Sequence, residues 1–364
     1  MHVSSNLLPG VPLIESPLFM QYVDSMELSP AERAIAISLH ERGYAIFDFP
    51  DTDLAGRLDR IIDRMSAEFD ADFDDPSADK NIGDMRMQDA WTFDEDVRAI
   101  AANGAVLTLL GKLYGRHPFP FQTLNFPVGT QQHLHSDSIH FSSIPERFMC
   151  GVWLAFEDVH PDAGPLMYLP GSHKWPILSN AMLGRRDVDD RSQTAQAPFE
   201  PVWRALVDQA PQSPETFLPR KGQALIWAAN LLHGGSPQTD LRRTRWSQVT
   251  HYYFDDCTYY TPAFSDEARG LLDLRAIVDV TTGEFRQRPR AEAPEPTKGR
   301  KSFMGRAAAV IVAQPDSAML PADFDAEQYY RWNPDVALAG NDAANHYLQH
   351  GRAEGRRYRG PARR

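Results

Sequence analysis

Cysteine is nearly absent. Cys150 and Cys257 are the only two in 364 residues, and neither sits in a Cys-x-x-Cys spacing. That excludes a disulfide framework and a thiolate metal cluster, and leaves both as packing residues. Long apolar runs are missing too: nothing approaches the ~20 residues that a membrane-spanning helix needs. The start "MHVSSNLLPGVPLIESPLF" lacks the basic region and small-residue cleavage site of a secretory leader, so the cytoplasm is the expected location. Basic excess is lacking as well. A net charge of -12 argues against a nucleic-acid partner, whose phosphates need cations. The exception is the end, "GRAEGRRYRGPARR", with six arginines against one glutamate. It reads as a solvated tail, with contact to an acidic partner or membrane surface as the alternative.

What is present is a soluble globular composition, long enough for one large domain and a smaller appendage. Ser29, Pro30 and Glu32 form a capping box opening a helix that stops at Gly43, and Tyr44 to Phe49 then reads as a strand. Leu54, Leu58, Ile61, Ile62, Met65 and Phe69 recur at helical spacing, and more helix is expected over Asp94 to Tyr114, broken at Asn103-Gly104. From about Phe119 to Asp255 the chain becomes short strands: "FQTLNF", "QQHLHSD", "RFMCGVWLAFEDV", "GPLMYL", "TFLPR", "QALIWA" and "RWSQVTHYYF". Strands of this spacing point to an antiparallel barrel or jelly roll. The insert 176–215 is long and polar enough to be a lid. The expected division is a β-rich domain with flanking helices over 1–286, a linker over 287–318, and a small helical module with a basic tail over 319–364.

The stretch "HLHSDSIHF" at 133–141 concentrates three of the chain's 12 histidines around an aspartate. On a strand, His135 and Asp137 share a face, giving half of a 2-His-1-carboxylate metal site. The best third ligand is His233 in "LIWAANLLHGGSP", where an apolar strand meets a histidine and two glycines. His133, His140, His173 and His251 also exist, and each taken singly reads first as a satisfied structural histidine. A His-x-Asp triplet alone is weak; its conjunction with barrel-like strands, the distant histidine and a following arginine is stronger. An acidic cosubstrate chelating a metal at one end needs a fixed cation at the other, and Arg245, at the head of "RWSQVTHYYF", is preferred over Arg243.

Four ordered blocks, "QQHLHSDSIHF", "GVWLAFEDVHPDAGPLMYLPGSHK", "KGQALIWAANLLHGGSPQT" and "RRTRWSQVTHYYF", resemble the phytanoyl-CoA dioxygenase family, over roughly residues 30–260. The resemblance implies a double-stranded β-helix (jelly roll, cupin-like) and an oxygenase dependent on Fe(II), 2-oxoglutarate and O2. It implies His135, Asp137 and His233 as iron ligands and Arg245 as partner of the distal 2-oxoglutarate carboxylate. It places Trp153 on the cosubstrate pocket, with Gln122 and Asn125 as further pocket residues. Gly235 departs from the pattern, standing where the family often has a serine that holds the cosubstrate; Ser236 or Ser247 are the substitutes. A carboxylate at Asp137, where related halogenases have a small residue, favours hydroxylation, with desaturation, epimerisation, ring closure or a non-catalytic binding barrel as alternatives.

The expected substrate is a small molecule. Arg86, Gln88 and Trp91 before the barrel, and Arg185 and Arg186 in the insert, are the candidate contacts. The C-terminal "FDAEQYYRWNPDVALAGNDAANHYLQHGRAEGR" resembles a short helical segment of bacterial surface-polysaccharide proteins, which implies a sugar or glycan precursor as substrate and a protein partner for this module.

Overall fold

The computed structural model describes residues 6–82, 85–186, 194–287, 320–338, 340–352 and 356–359. Of the expected linker at 287–318, all but Gln287 lies outside them.

Local chemistry sets the first helices. Ser29 accepts from the Glu32 N–H while the Glu32 carboxylate accepts from the Ser29 N–H, and Gly43, at φ 85°, ends Pro30–Arg42. Helix Leu54–Ser66 buries Leu58, Ile61 and Met65. Asn103 separates Glu95–Ala101 from Gly104–Tyr114 and caps the latter through its side chain.

The strands among the described residues are β1 (Tyr44–Asp48), β2 (Met87–Gln88), β3 (Pro118–Phe126), β4 (Ser142–Ile144), β5 (Met149–Ala155), β6 (Leu166–Tyr168), β7 (Glu215–Thr216), β8 (Gln223–Ala228), β9 (His233–Gly235), β10 (Ser247–Phe254), β11 (Thr258–Tyr260) and the mutually paired β12 (Ile277–Val278) and β13 (Phe285–Gln287). Six form an antiparallel sheet in the order β1-β8-β5-β10-β3-β2, three form a small sheet β7-β6-β9, and β11 pairs with β4. The chain passes from β5 in the large sheet to β6 and β7 in the small one, returns to β8, crosses to β9 and returns to β10. This is a jelly roll, without closure into a continuous barrel.

Alternation along the strands sorts two cores. Cys150, Val152, Leu154, Ala224, Ile226, Tyr252 and Phe254 face the helices. Trp153, Ala155, Leu225, Trp227 and Val249 face the small sheet and meet Leu166 and Tyr168.

Three expectations need correction. "QQHLHSD" is not a strand; only His135 makes a β-bridge there, and Asp137 opens a 3-10 turn. The insert is no purely polar loop: helix Glu200–Asp208 buries Trp203, which with Phe199 packs against Ile139, Leu178 and Leu232. The C-terminal module includes the short helices Ala326–Trp332, Pro334–Leu338 and Ala343–His346, with Pro334 restarting a helix directly after Asn333. Its tail is not wholly solvated. Arg356 and Arg357 are buried, and Arg357 stacks 3.7 Å from Trp332 and 5.3 Å from Phe69 while donating to the Glu68 carbonyl at 3.0 Å. Among the described residues no helix is long and apolar enough to cross a membrane.

Asp96 ties helix Leu54–Ser66 to helix Glu95–Ala101 by accepting from Arg57, Arg60 and Arg64 at 2.8–2.9 Å. The Arg60 hydrogen bonds, acting against the cost of burial and joined by those of Arg64 and Arg57, hold its carboxyl well below the ordinary 3.8. A depressed carboxyl stabilises the fold above its unfolded pKa and loses that contribution as pH falls. Since the arginines are partly solvated, Asp96→Asn is expected to lower unfolding free energy by about 1–2 kcal/mol at pH 7. In urea melts across pH, the gap to wild type should narrow below pH 3.8.

Candidate metal centre

The centre is built on one backbone pairing. His135 and His233 exchange both hydrogen bonds, N to O at 2.9 Å each way, as an antiparallel bridge. Residues directly opposite in such a pair project from the same face, so the imidazoles stand side by side with ring centroids 4.7 Å apart. Each ring is oriented identically: Nδ1 of His135 meets the His133 carbonyl at 2.8 Å, and Nδ1 of His233 meets the Leu231 carbonyl at 3.0 Å. A carbonyl only accepts, so Nδ1 carries the proton and both Nε2 lone pairs are left bare.

Asp137 arrives differently from the expected same-face strand position. The chain leaves extended geometry at Ser136, whose hydroxyl accepts from the Ser138 N–H, and the 3-10 turn swings the carboxylate to the two imidazoles. Ligand atoms of His135, Asp137 and His233 all lie within 4.8 Å of one another, and all three residues are buried. Burial, and then His233, pushes the His135 pKa down to about 3. Burial opposes the Asp137 charge, but the neighbouring His233, His251 and His135 outweigh it and keep the carboxyl well below its ordinary value. Two bare imidazole nitrogens and a carboxylate on one point fit a divalent transition metal such as iron(II).

Trp227 and Gly151 fix the carboxylate. Trp227 Nε1 donates to Asp137 Oδ2 at 2.8 Å, and its indole lies across Gly151, its partner in the β5–β8 pairing. A Cβ at Gly151 would stand 2.2 Å from Trp227 Cζ2. His251, paired opposite Gly151 on β10, holds its Nε2 3.6 Å from Asp137 Oδ2 and its Nδ1 2.9 Å from Gln122 Oε1.

These groups line a cavity of about 570 Å³ that also holds Arg245, Trp153 and Gln122. Arg245 is 2% exposed, donates to the Gly164 and Val128 carbonyls at 3.1 and 3.3 Å, and sits 5.5 Å from the Trp153 ring centroid. Its Nε is buried without a partner, and among the described residues no carboxylate lies within 4.0 Å of it. Burial lowers its pKa to about 10, so it stays charged at neutral pH, with Glu157 helping to retain the proton. A buried cation without a counterion is costly unless an anion completes it. Arg243, by contrast, lies against Asp240 at 3.3 Å.

Several expected site residues are elsewhere. Asn125 has the opposite phase on β3 and donates to Gln248 on the helix side. Trp91 packs in the helix-side core and donates to Asp89. Arg185 bonds Asn180, and Arg186 pairs with Asp266 at 3.1 Å, so both anchor the insert. Arg86 and Gln88 do line the cavity. Ser247 shares the phase of Arg245 and has a buried, unpartnered hydroxyl, but lies behind the lining. Gly235 cannot be a serine: a Cβ would stand 2.7 Å from the Gln131 nitrogen and 2.8 Å from Thr130 Oγ1, so the loop 130–131 fills that space, and Thr130 faces the cavity. Ser236 is not in the lining. Trp227, Thr130, Gln196 and Arg275 went unforeseen; a glycine within strand β5 was the one available signal, since it marks a close approach.

A jelly roll with a buried 2-His-1-carboxylate triad and a deep arginine in one cavity is the architecture of non-haem iron(II), 2-oxoglutarate-dependent oxygenases. Within that class, the chain belongs to the phytanoyl-CoA dioxygenase (PhyH) family, whose profile matches residues 36–244. Rattus norvegicus "Phytanoyl-CoA dioxygenase, peroxisomal" is 25% identical over 150 residues, covering 41% of this chain and 37% of that protein, so the match spans well under half of that relative. Among solved structures, the carbocyclase SnoK from nogalamycin biosynthesis is 16% identical, with a TM-score of 0.48 and coverage of 68% of this chain and 93% of that one. Iron-bound EctD from S. alaskensis is 16% identical, with a TM-score of 0.48 and coverage of 65% and 80%.

Gly151→Ala is expected to displace the Trp227 indole and free Asp137. Anaerobic cobalt(II) titration should show metal affinity weakened by about tenfold or more, with thermal melting confirming a folded protein.

Proposed function

We propose that this protein is an iron(II)- and 2-oxoglutarate-dependent oxygenase that hydroxylates a small molecule. The observation that carries the reading is the shared cavity: a 2-His-1-carboxylate triad at one point and, in the same space, a buried guanidinium with no carboxylate in contact among the described residues. His135, Asp137 and His233 would hold iron(II), which when bound supplies activation of dioxygen coupled to oxidative decarboxylation of 2-oxoglutarate. The net change is substrate C–H, 2-oxoglutarate and O2 to substrate C–OH, succinate and CO2.

The residues of the chain bind, orient and shield. Arg245 donates to the distal carboxylate of 2-oxoglutarate in a bidentate pair, which compensates its buried charge. Trp153 forms the wall beside it, and Thr130 offers the hydroxyl that Gly235 cannot. Trp227 holds the Asp137 carboxylate. The helix Glu200–Asp208, with Trp203 6.5 Å from the His135 ring, closes one side and limits water. Gln88, Gln122 and Gln196 in the lining favour a polar, hydrogen-bonding substrate, consistent with a sugar or glycan precursor. The cytoplasm as location, the lack of a nucleic-acid partner and a docking role for the C-terminal module complete the reading.

Anaerobic iron(II) and 2-oxoglutarate titration tests it, read by the visible charge-transfer band of the chelate. Wild type should form the band and His135→Ala should not. Arg245→Gln should keep metal affinity but bind 2-oxoglutarate about 100-fold more weakly. Because the cosubstrate-free protein carries the unpaired charge, this variant should melt no lower than wild type without 2-oxoglutarate; a large loss of stability would make Arg245 a structural residue. Absence of the band in folded, metal-loaded wild type overturns the proposal in favour of a binding barrel.

A further inference from the structure

Besides Arg245 the cavity lining holds Arg86 and Arg275, and Arg275 is the one placed near the metal point on the side away from Arg245. Arg275 lies in the lining, beyond the last strand of the large sheet. Its Nη1 donates to the His140 carbonyl at 3.2 Å and to Thr261 Oγ1 at 3.1 Å, and the guanidinium lies 4.8 Å from the centroid of Phe141. Its Nε is buried with no partner, and among the described residues no carboxylate lies within 4.0 Å of the group. Glu200, the one carboxylate in the lining besides Asp137, is not paired with it. The side chain is thus held in place by neutral acceptors, with its charge uncompensated.

Position separates its role from that of Arg245. The Phe141 ring lies 4.9 Å from that of His251, tilted by 41°, and His251 stands beside Asp137. His251 and Arg245 are six residues apart on one extended segment, roughly 20 Å along the strand direction. Through Phe141, Arg275 therefore stands on the His251 side of the metal point, and Arg245 belongs to the other end of that segment. A five-carbon dicarboxylate chelated at the metal reaches one of them only. On the Arg275 side the lining adds Gln196, whose amide nitrogen is 3.1 Å from His140 Nε2.

We infer that Arg275 binds an oxyanion of the primary substrate, a carboxylate or phosphate, and so holds the substrate on the side of the metal opposite to 2-oxoglutarate. This assignment rests on the cosubstrate reading of Arg245. A guanidinium with a fixed Nη1 presents its remaining N–H groups to an oxyanion at little further entropic cost. The substrate class is then a polar small molecule with one anionic group, whose reacting carbon lies between that group and the metal.

The test uses full-length, 15N-labelled protein loaded with zinc(II) as diamagnetic metal. The arginine Nε–H resonances lost in Arg275→Lys and in Arg245→Lys are assigned by difference. 2-Oxoglutarate is added to saturation, then inorganic phosphate or acetate is titrated at constant ionic strength. The Arg275 resonance should shift saturably with at least one anion, and the stronger of the two identifies the group. In Arg275→Gln, the same anion, followed on the Gln196 side-chain amide, should bind at least about tenfold more weakly. Arg275→Lys should retain part of the affinity, which separates loss of charge from loss of fold. An Arg275 resonance indifferent to both anions, while that of Arg245 moves with 2-oxoglutarate, overturns the substrate assignment and leaves the cosubstrate reading intact. The reverse pattern keeps the oxyanion site and removes the cosubstrate reading.

Discussion

The reciprocal hydrogen bonds between His135 and His233 are the constraint on which the centre depends. They join a loop to a short edge strand 98 positions further along the chain, and they set both imidazoles on one face through the main chain alone. Everything around the bridge keeps it possible. Gly234 and Gly235 have no side chain because the 131–133 backbone lies within 3.0 Å of where a Cβ would be. The carbonyls of His133 and Leu231 then fix both tautomers. A ligand set defined by main-chain pairing is harder to perturb than one that relies on rotamers alone, because the backbone geometry leaves only the ring torsions free.

Charge is distributed in the cavity by the same logic of incomplete satisfaction. Protein interiors pair their charges, yet the buried Arg245 and the half-buried Arg275 are held by carbonyl and hydroxyl acceptors that fix geometry without a carboxylate in contact. Arg57, Arg60 and Arg64, by comparison, are matched by Asp51, Asp53, Asp94 and Asp96 in a network that serves the fold. The two patterns differ in whether carboxylates or neutral oxygens hold the guanidinium, and the anion-binding roles proposed above rest on that difference.

Much of this was readable in the sequence because it was local or periodic. The Ser29–Glu32 capping box, the Asn103 break and the alternation in "QALIWA" and "RWSQVTHYYF" each act over a few residues. The metal triad was readable because its chemistry restricts residue type. What was not readable depends on tertiary register. Asp137 sits in a turn, not on a strand, and only the chain path after Ser136 decides that. Asn125 differs from Gln122 by three positions, an odd number, so a strand turns it away. Arg275 follows the signature blocks in an irregular segment, and nothing in its neighbours marks it as facing a cavity. Arg357 looked like one basic residue among many, because its aromatic partner Phe69 is remote in sequence.

That last contact also bears on the order in which the molecule assembles. Arg357 and Glu68 are separated by 289 positions. Phe69, beneath the guanidinium, lies 6.2 Å from the ring of Trp246, the residue after Arg245. A contact of such sequence separation gains nothing until both of its surfaces exist, since loop-closure entropy is lost before any attraction is returned. On that physical ground the C-terminal module is expected to seat on the jelly roll after its sheets have formed. The C-terminal segment thus reaches, through Phe69, the outer side of the strand segment whose preceding residue is Arg245.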